Sequence, residues 1–373
     1  MKFLHTADLH LDSAFCAATP IEAEQHREEQ RSMLVRIFEL AGAEECDMIL
    51  IAGDLFDTVF VTPETARLCI ELFSSFEKPI IISPGNHDPY VEGGFYRSFT
   101  LPENVYVFSS PELQCFDIPD TRVSVAGYAF TSSALPRDPL DIQAIHRENA
   151  ENILLLCAHA DVNAPTSRYA PVLSSDIERL GFDYAALGHV HNPPHISDKA
   201  RYSGFPQGRG FDEEGEGGVY IVTVDKNETP IVQRRVISTL RFKHAEVCVD
   251  GADTPEEIES RVKDELNTYA KQGITHLRLE LYGVVSPDAT SDIEKYQKAP
   301  GTDFRSLSVI DATLALPDGA YLEKDVTLRG ELYRTLRPLL FSDDSAERLR
   351  ALRALRIGLL AIEGKNFTDG GRA

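Results

Sequence analysis

The stretch Met48-Ile49-Leu50-Ile51-Ala52-Gly53-Asp54-Leu55-Phe56-Asp57 decides how this chain reads. Its first five residues form a continuous apolar run closed by Gly53, the pattern of a strand buried on both faces. Asp54 then stands where the strand stops, at the carboxyl edge where open α/β sheets bind ligands. A Gly-Asp pair at a strand end is by itself an ordinary turn. It gains meaning because four other strand-like runs end in similar residues. Residues 2–7 deliver Asp8 and His10, and 79–83 run into Pro84-Gly85-Asn86-His87-Asp88. Residues 152–158 end in His159, and 184–187 in Gly188-His189-Val190-His191. Side chains at i and i+2 of an extended backbone share a face, so Asp8 and His10 can hold one ion.

Between these strands the pattern is helical. Met33, Leu34, Ile37, Phe38 and Ala41 share one face of a helix expected over 21–45, and a second starts at Pro63 and runs to about Phe76. Strand and helix in alternation predict a parallel or mixed sheet built from βαβ units. Residues 104–130 read as shorter, more antiparallel strands, and the glycine-rich 201–218 as loop. The composition shifts near residue 240. Strands are expected over 242–250, 276–282 and 304–316, with a helix over 254–271 capped by Thr254 and carrying Glu257 three residues on. From residue 328 the tail is helical, with Leu349, Leu352, Leu355, Leu359 and Ile362 as an apolar stripe among Arg348, Arg350, Arg353 and Arg356. This gives three parts, 1–238, 239–326 and 327–373.

The chain of 373 residues carries 37 basic and 59 acidic side chains, a net charge of -22. That weighs against binding a polyanion alone, although a metal cluster consumes carboxylates and a partner can supply basic surface. No apolar run is long enough for a membrane span, which takes about 18 residues or more, and the N-terminus meets charge too early for a signal peptide. The six cysteines show no CxxC spacing, so reduced thiols in a cytoplasmic protein are expected.

Asp8, His10, Asp54, Asn86, His159, His189 and His191 make a mixed oxygen and nitrogen donor set. It suits divalent manganese, iron, zinc or cobalt and fits magnesium or calcium poorly. Seven donors exceed what one ion with an open position needs, but they fit two ions sharing a bridging carboxylate. Two ions about 3.5–4 Å apart clamp the attacking and leaving oxygens of an in-line phosphoryl displacement. Each piece alone has a bland reading, as a turn, a rim histidine or a surface pair. Their recurrence at five successive strand ends does not.

These five segments resemble the motifs of the calcineurin-like metallophosphoesterases over residues 1 to about 225. In finer detail, TADLHLDS, AGDLFD, PGNHD, GHVH and YSGFPQGRGF resemble the SbcD/Mre11 (YhaO-like) type of DNA repair nuclease. The resemblance implies an α/β (α+β) fold: a four-layer αββα sandwich with a smaller C-terminal α+β cap and a helical tail. It implies that Asp8, His10 and His191 hold one metal and Asn86, His159 and His189 the other, manganese first among the candidates, with Asp54 bridging. His87 would be catalytic, protonating the leaving oxygen or stabilising the transition state, with Asp88 orienting its ring. Asp57 stands where archaeal and eukaryotic members carry a second histidine. The acidic cluster Asp212, Glu213, Glu214 and Glu216 would repel a DNA backbone unless its loop points away. The implied partners are DNA, an SbcC/Rad50-like coiled-coil ATPase docked on the tail, and a second copy of the chain in a homodimer; no membrane partner is implied. Two rival functions remain: a phosphoesterase of a small molecule or cyclic nucleotide, which shares every ligand, and a weakly active scaffold for the ATPase, which the acidic charge favours.

Overall fold

The computed structural model describes residues 1–15, 19–147, 149–250, 252, 254–285, 304–315, 319–342, 344–362 and 364. Cys16, Leu316 and the side chain of Leu349 lie outside the described residues. The chain divides into two compact units, Met1–Leu240 and Arg241–Ala373.

The first unit is built on two sheets. Strands β1 (Lys2–Thr6), β2 (Met48–Ile51), β3 (Ile80–Ile82) and β4 (Val105–Val107) run parallel. The antiparallel β12 (Gly218–Thr223) and β13 (Ile231–Val236) complete a sheet of order β13-β12-β1-β2-β3-β4. The second sheet comprises β5 (Gln114–Ile118), β6 (Val123–Gly127), β7 (Ile153–His159), β10 (Tyr184–Gly188) and β11 (Ala200–Tyr202), in the order β11-β10-β7-β6-β5. A small ribbon pairs β8 (Asp161–Val162) with β9 (Pro171–Val172). The antiparallel expectation for 104–130 holds only for β5 and β6. Connection length explains the difference. A tight turn over 119–122 joins β5 to β6, whereas β3 to β4 and β6 to β7 are crossovers long enough to return the chain in parallel.

Period-two alternation sorts the strand residues into layers. Phe3, Ala7, Met48, Leu50, Ala52 and Ile81 face inward onto Val125, Leu155, Cys157, Tyr184 and Ala186 of the other sheet. Leu4, Ile49, Ile51, Ile80 and Ile82 face the helices α1 (Pro20–Ala43) and α2 (Pro63–Phe76), through Met33, Leu34, Ile37, Phe38 and Phe73. On the far side, Leu154, Leu156, Ala185 and Leu187 are covered by Leu135, Leu140, Ala170 and by Ile177 of the short helix α4 (Ser174–Leu180); a further short helix, α3 (Phe95–Ser98), follows β3. The four expected layers are present, the last of them mostly irregular chain. Each long helix starts as its sequence asks. Thr19 and Glu22 form a capping box on α1, Thr62 caps α2, and a proline follows each cap.

At the carboxyl ends of β1, β2 and β10 the two sheets approach very closely. A Cβ on Gly188 would meet the Ala52 carbonyl oxygen at 2.0 Å and Ala7 Cβ at 2.6 Å. This contact carries the ends of β1 and β2 against those of β7 and β10, and so assembles the site. Gly188→Ala should cost about 3 kcal/mol or more, because the obstacle is backbone. A thermal melt would show it as a lower Tm, and an unchanged Tm would mean the sheets can separate freely.

In the second unit β14 (Phe242–Cys248), β15 (His276–Val285) and β16 (Ser306–Ala315) form a parallel sheet. Helix α5 (Pro255–Lys271), capped by Thr254, covers it with Ile258, Val262 and Leu266. Helices α6 (Gly319–Lys324), α7 (Leu328–Leu340) and α8 (Ser345–Ile362) follow. Leu355 and Leu359 of the apolar stripe, with Ala351, are buried against Leu322, Tyr333 and Leu340. Ile362 lies at the exposed end of the stripe.

Candidate metal centre

The loops after β1 and β2 are zipped together by their own backbones. Asp8 N donates to the Gly53 carbonyl (3.1 Å), His10 N to that of Asp54 (3.0 Å) and Leu11 N to that of Leu55 (2.9 Å). Side-chain donors hold the first loop from below, since the buried Gln30 of α1 and Ser13 both donate to the His10 carbonyl. Asp8, His10, Asp54 and His189 all have positive φ, at 54°, 47°, 50° and 107°. A side chain in the left-handed region costs about 1 kcal/mol or more, and such strain concentrates at functional sites. Two glycines make the close approach possible. A Cβ on Gly53 would lie 2.3 Å from His159 Nδ1, and one on Gly85 would lie 2.1 Å from Asp54 Oδ1.

The expected ligands converge. His10 Nε2 is 3.2 Å from His191 Nε2, and His191 Nε2 is 3.7 Å from Asp8 Oδ1. Asp54 Oδ2 lies 3.7 Å from His10 Nε2 and 3.3 Å from His159 Nε2, and Asn86 Oδ1 is 3.1 Å from His159 Nε2. His189 stands beside this group. Its ring centroid is 5.1 Å from that of His159, and its backbone N–H donates to both Asp8 oxygens. Burial, with His159 next to it, lowers His189 to about 4.

The donor set fits divalent cations. Asp8 and Asp54 are buried, and among the described residues neither is paired with a lysine or arginine. A buried carboxylate without a positive partner is costly. The outer nitrogens of three histidines are already engaged: His10 Nδ1 with Asp57 Oδ1 at 3.0 Å, His191 Nδ1 with Glu213 Oε1 at 2.7 Å, and His159 Nδ1 with the Ala52 carbonyl at 3.0 Å. Each partner can accept a proton bond, so each Nδ1 carries a hydrogen, and each Nε2 offers an inward lone pair once a metal ion takes the place of its own proton. That is the arrangement of metal-binding histidines. The facing lone pairs of His10 and His191 repel unless a cation lies between them. Three overlapping groups bring donor atoms within 4.8 Å of one another: Asp8, His10 and His191; Asp8, Asp54 and His159; and His10, Asp54 and His87.

His87 lies at the rim, with 44% of its side chain exposed. Its backbone N–H donates to Asp54 Oδ1 (3.0 Å), and its ring is edge-on to His10 at 4.8 Å. The orienting role expected of Asp88 is corrected here. The atom at 3.0 Å from His87 Nδ1 is the carbonyl oxygen of Asp57. Asp88 turns the other way and accepts from Gly85 N (2.7 Å), Leu55 N (2.9 Å), Phe56 N (3.3 Å) and Tyr96 Oη (2.6 Å). Burial and then the Asp54 charge raise Asp88 to about 7. It ties the β2 and β3 loops to each other. Asp88→Ala would orphan buried donors and should destabilise by about 3 kcal/mol. Urea unfolding would show a lower midpoint at constant m-value, and an unchanged midpoint would leave Asp88 without that role.

Asp57, Arg209, Glu213 and Asp161 surround these histidines without being among the seven expected donors. Asp161 Oδ2 lies 3.8 Å from His189 Nε2. Glu213, read from sequence as one of four clustered acids in a loop, is 1% exposed and faces His191. Its isolated Arg209, between two glycines, was the one signal in that loop for an inward-facing acid.

Among the described residues no helix is long and apolar enough to cross a membrane. The sequence profile of the calcineurin-like phosphoesterases matches residues 1–193. The chain is also similar to the uncharacterized metallophosphoesterase YhaO of Bacillus subtilis (strain 168), 29% identical over 289 residues that span 73% of this chain and 69% of that protein. With a profile match over more than half its length and a buried cluster of histidines and aspartates suited to divalent metal, the chain belongs to the calcineurin-like phosphoesterases, hydrolases of phosphoesters.

Proposed function

We propose that this chain hydrolyses phosphodiester bonds of DNA with two divalent ions, manganese foremost, as the nuclease subunit of an SbcD-type complex with a coiled-coil ATPase. The observation that carries the two-ion part is Asp54 Oδ2, within 4 Å of both His10 Nε2 and His159 Nε2 and so between two half-sites. Asp8, His10 and His191 would hold one ion and Asn86, His159 and His189 the other, with Asp54 shared. Bound there, the ions polarise phosphoryl oxygens and acidify water at neutral pH. The chain's own residues fix the donors through their Nδ1 contacts and expose His87 where a leaving oxygen would depart. Support for a macromolecular substrate comes from the second unit. The 73% of the chain aligned with YhaO exceeds what the first unit alone could supply. A cap gripping DNA and a tail docking an ATPase would give that unit its use.

The net charge of -22 favours a second reading, a scaffold for the ATPase with weak activity of its own. Incubation with end-labelled duplex DNA and with bis(p-nitrophenyl) phosphate, each with added manganese, separates the readings. Cleavage of both supports the nuclease. Cleavage of the small diester with DNA intact overturns the DNA substrate in favour of a small-molecule diester. Cleavage of neither by protein with two bound ions favours the scaffold.

A further inference from the structure

Behind the metal-facing nitrogens lies a second layer of charge. Arg209 donates to Glu213 through Nε (3.1 Å) and Nη2 (2.6 Å), and through Nη1 to Asp57 Oδ1 (3.2 Å). Its Nη2 is also 3.5 Å from His191 Nδ1. Glu213 thus backs His191, Asp57 backs His10, and one guanidinium joins the two carboxylates. We propose that Asp57, Arg209 and Glu213 act as a single positioning unit for His10 and His191, and thereby set one of two unequal cation positions, the one built from Asp8, His10 and His191. This rests on the two-ion reading above.

The inequality follows from what stands behind each imidazole. A carboxylate behind an imidazole fixes its tautomer and strengthens its inward lone pair. His10 and His191 both have one. His159 instead leans on the backbone carbonyl of Ala52, a neutral acceptor that no side-chain change removes, and the Asp161 carboxylate stands 3.8 Å from His189 Nε2, beyond hydrogen-bond distance. Glu213 is buried, and its Oε1 meets both His191 Nδ1 (2.7 Å) and Arg209 Nη2 (2.6 Å). Arg209 is needed because two carboxylates so placed would otherwise repel. It is a bidentate partner that lysine could not replace. Asp57 has a further duty, since its carbonyl also holds the His87 ring. The unit therefore connects one cation position to the rim residue, and the Asn86–His159 side is left outside it.

Cobalt(II) titration of chelator-treated protein, followed by calorimetry and by the visible d–d bands, tests this without turnover. The wild-type chain should take two ions. Glu213→Gln, which keeps shape and removes charge, should weaken one binding step by about 10–100-fold, leave the other at its wild-type value, and alter the bands of the weakened site only. Arg209→Met should reproduce the effect. Asp57→Asn reaches the same position through His10 and serves if either variant fails to fold. Glu213→Asp should recover part of the lost affinity. Two unaltered steps in Glu213→Gln and Arg209→Met, or equal weakening of both steps, would overturn the proposal. If the wild-type chain takes a single ion, the two-ion reading falls. The positioning unit then stands or falls on whether Glu213→Gln weakens that ion.

Discussion

Asp54→Asn should lower kcat on bis(p-nitrophenyl) phosphate by about three orders of magnitude, roughly 4 kcal/mol of transition-state stabilisation, and reduce the bound metal per chain. The asparagine keeps the oxygen that accepts from His87 N, so the loop after β3 retains its anchor. What it removes is the one charge shared by both half-sites. Asp54 is 2% exposed, and its Oδ2 faces His10 and His159 together. A second consequence is visible without metal. Burial pulls the His159 imidazole down, but the Asp54 charge outweighs it and holds the ring at about 9. With asparagine at 54 only Asp8 and the Ala52 carbonyl remain on the raising side, so His159 should titrate lower. Histidine NMR of chelator-treated protein would register the drop. Turnover within tenfold of wild type would remove Asp54 from the centre of the chemistry.

How far the sequence alone leads to this site depends on where each residue sits. Five strands of the sandwich, β1, β2, β3, β7 and β10, are apolar runs that each end in a donor, so Asp8, His10, Asp54, Asn86, His159, His189 and His191 are legible from local pattern. Their convergence follows from the parallel order β1-β2-β3 beside β7-β10, because parallel strands put all carboxyl ends on one edge. Direction itself was less legible in 104–130, since strand composition does not record whether a connection is a turn or a crossover. Least legible was the loop after β11. Asp212, Glu213, Glu214 and Glu216 are alike in sequence, and only the fold selects Glu213 to face His191. The same holds for Asp88. Adjacency to His87 suggested a partner, yet the Asp88 carboxylate points to backbone donors of the neighbouring loops, and the Asp57 carbonyl at the end of the next strand took the role. The apolar stripe of α8 was ambiguous for a different reason, because a helix face that closes on its own unit and one that awaits a partner have the same periodicity.

His87→Ala should leave the metal content at its wild-type value and reduce kcat by an amount that depends on the leaving group. The Asp57 carbonyl can only accept, so His87 Nδ1 carries a hydrogen in every protonation state. Nε2 is then the only ring atom free to meet a substrate, and it can donate a proton only from the imidazolium. Departure of p-nitrophenolate needs little protonation, whereas departure of an alkoxide such as a nucleoside oxygen needs a great deal. If His87 is the proton donor, its loss should cost about 10-fold on bis(p-nitrophenyl) phosphate and about 10³-fold on a diester with an alkyl leaving group, with KM nearly constant in both. Equal losses on the two substrates would assign His87 to stabilising charge on the phosphoryl group and end the proton-donor role. A fall in bound metal would have a different meaning. His87 lies with His10 and Asp54 in one of the three donor groups, and metal loss would make it a ligand. Its exposure at the rim argues for retention of both ions, with the chemical step alone impaired.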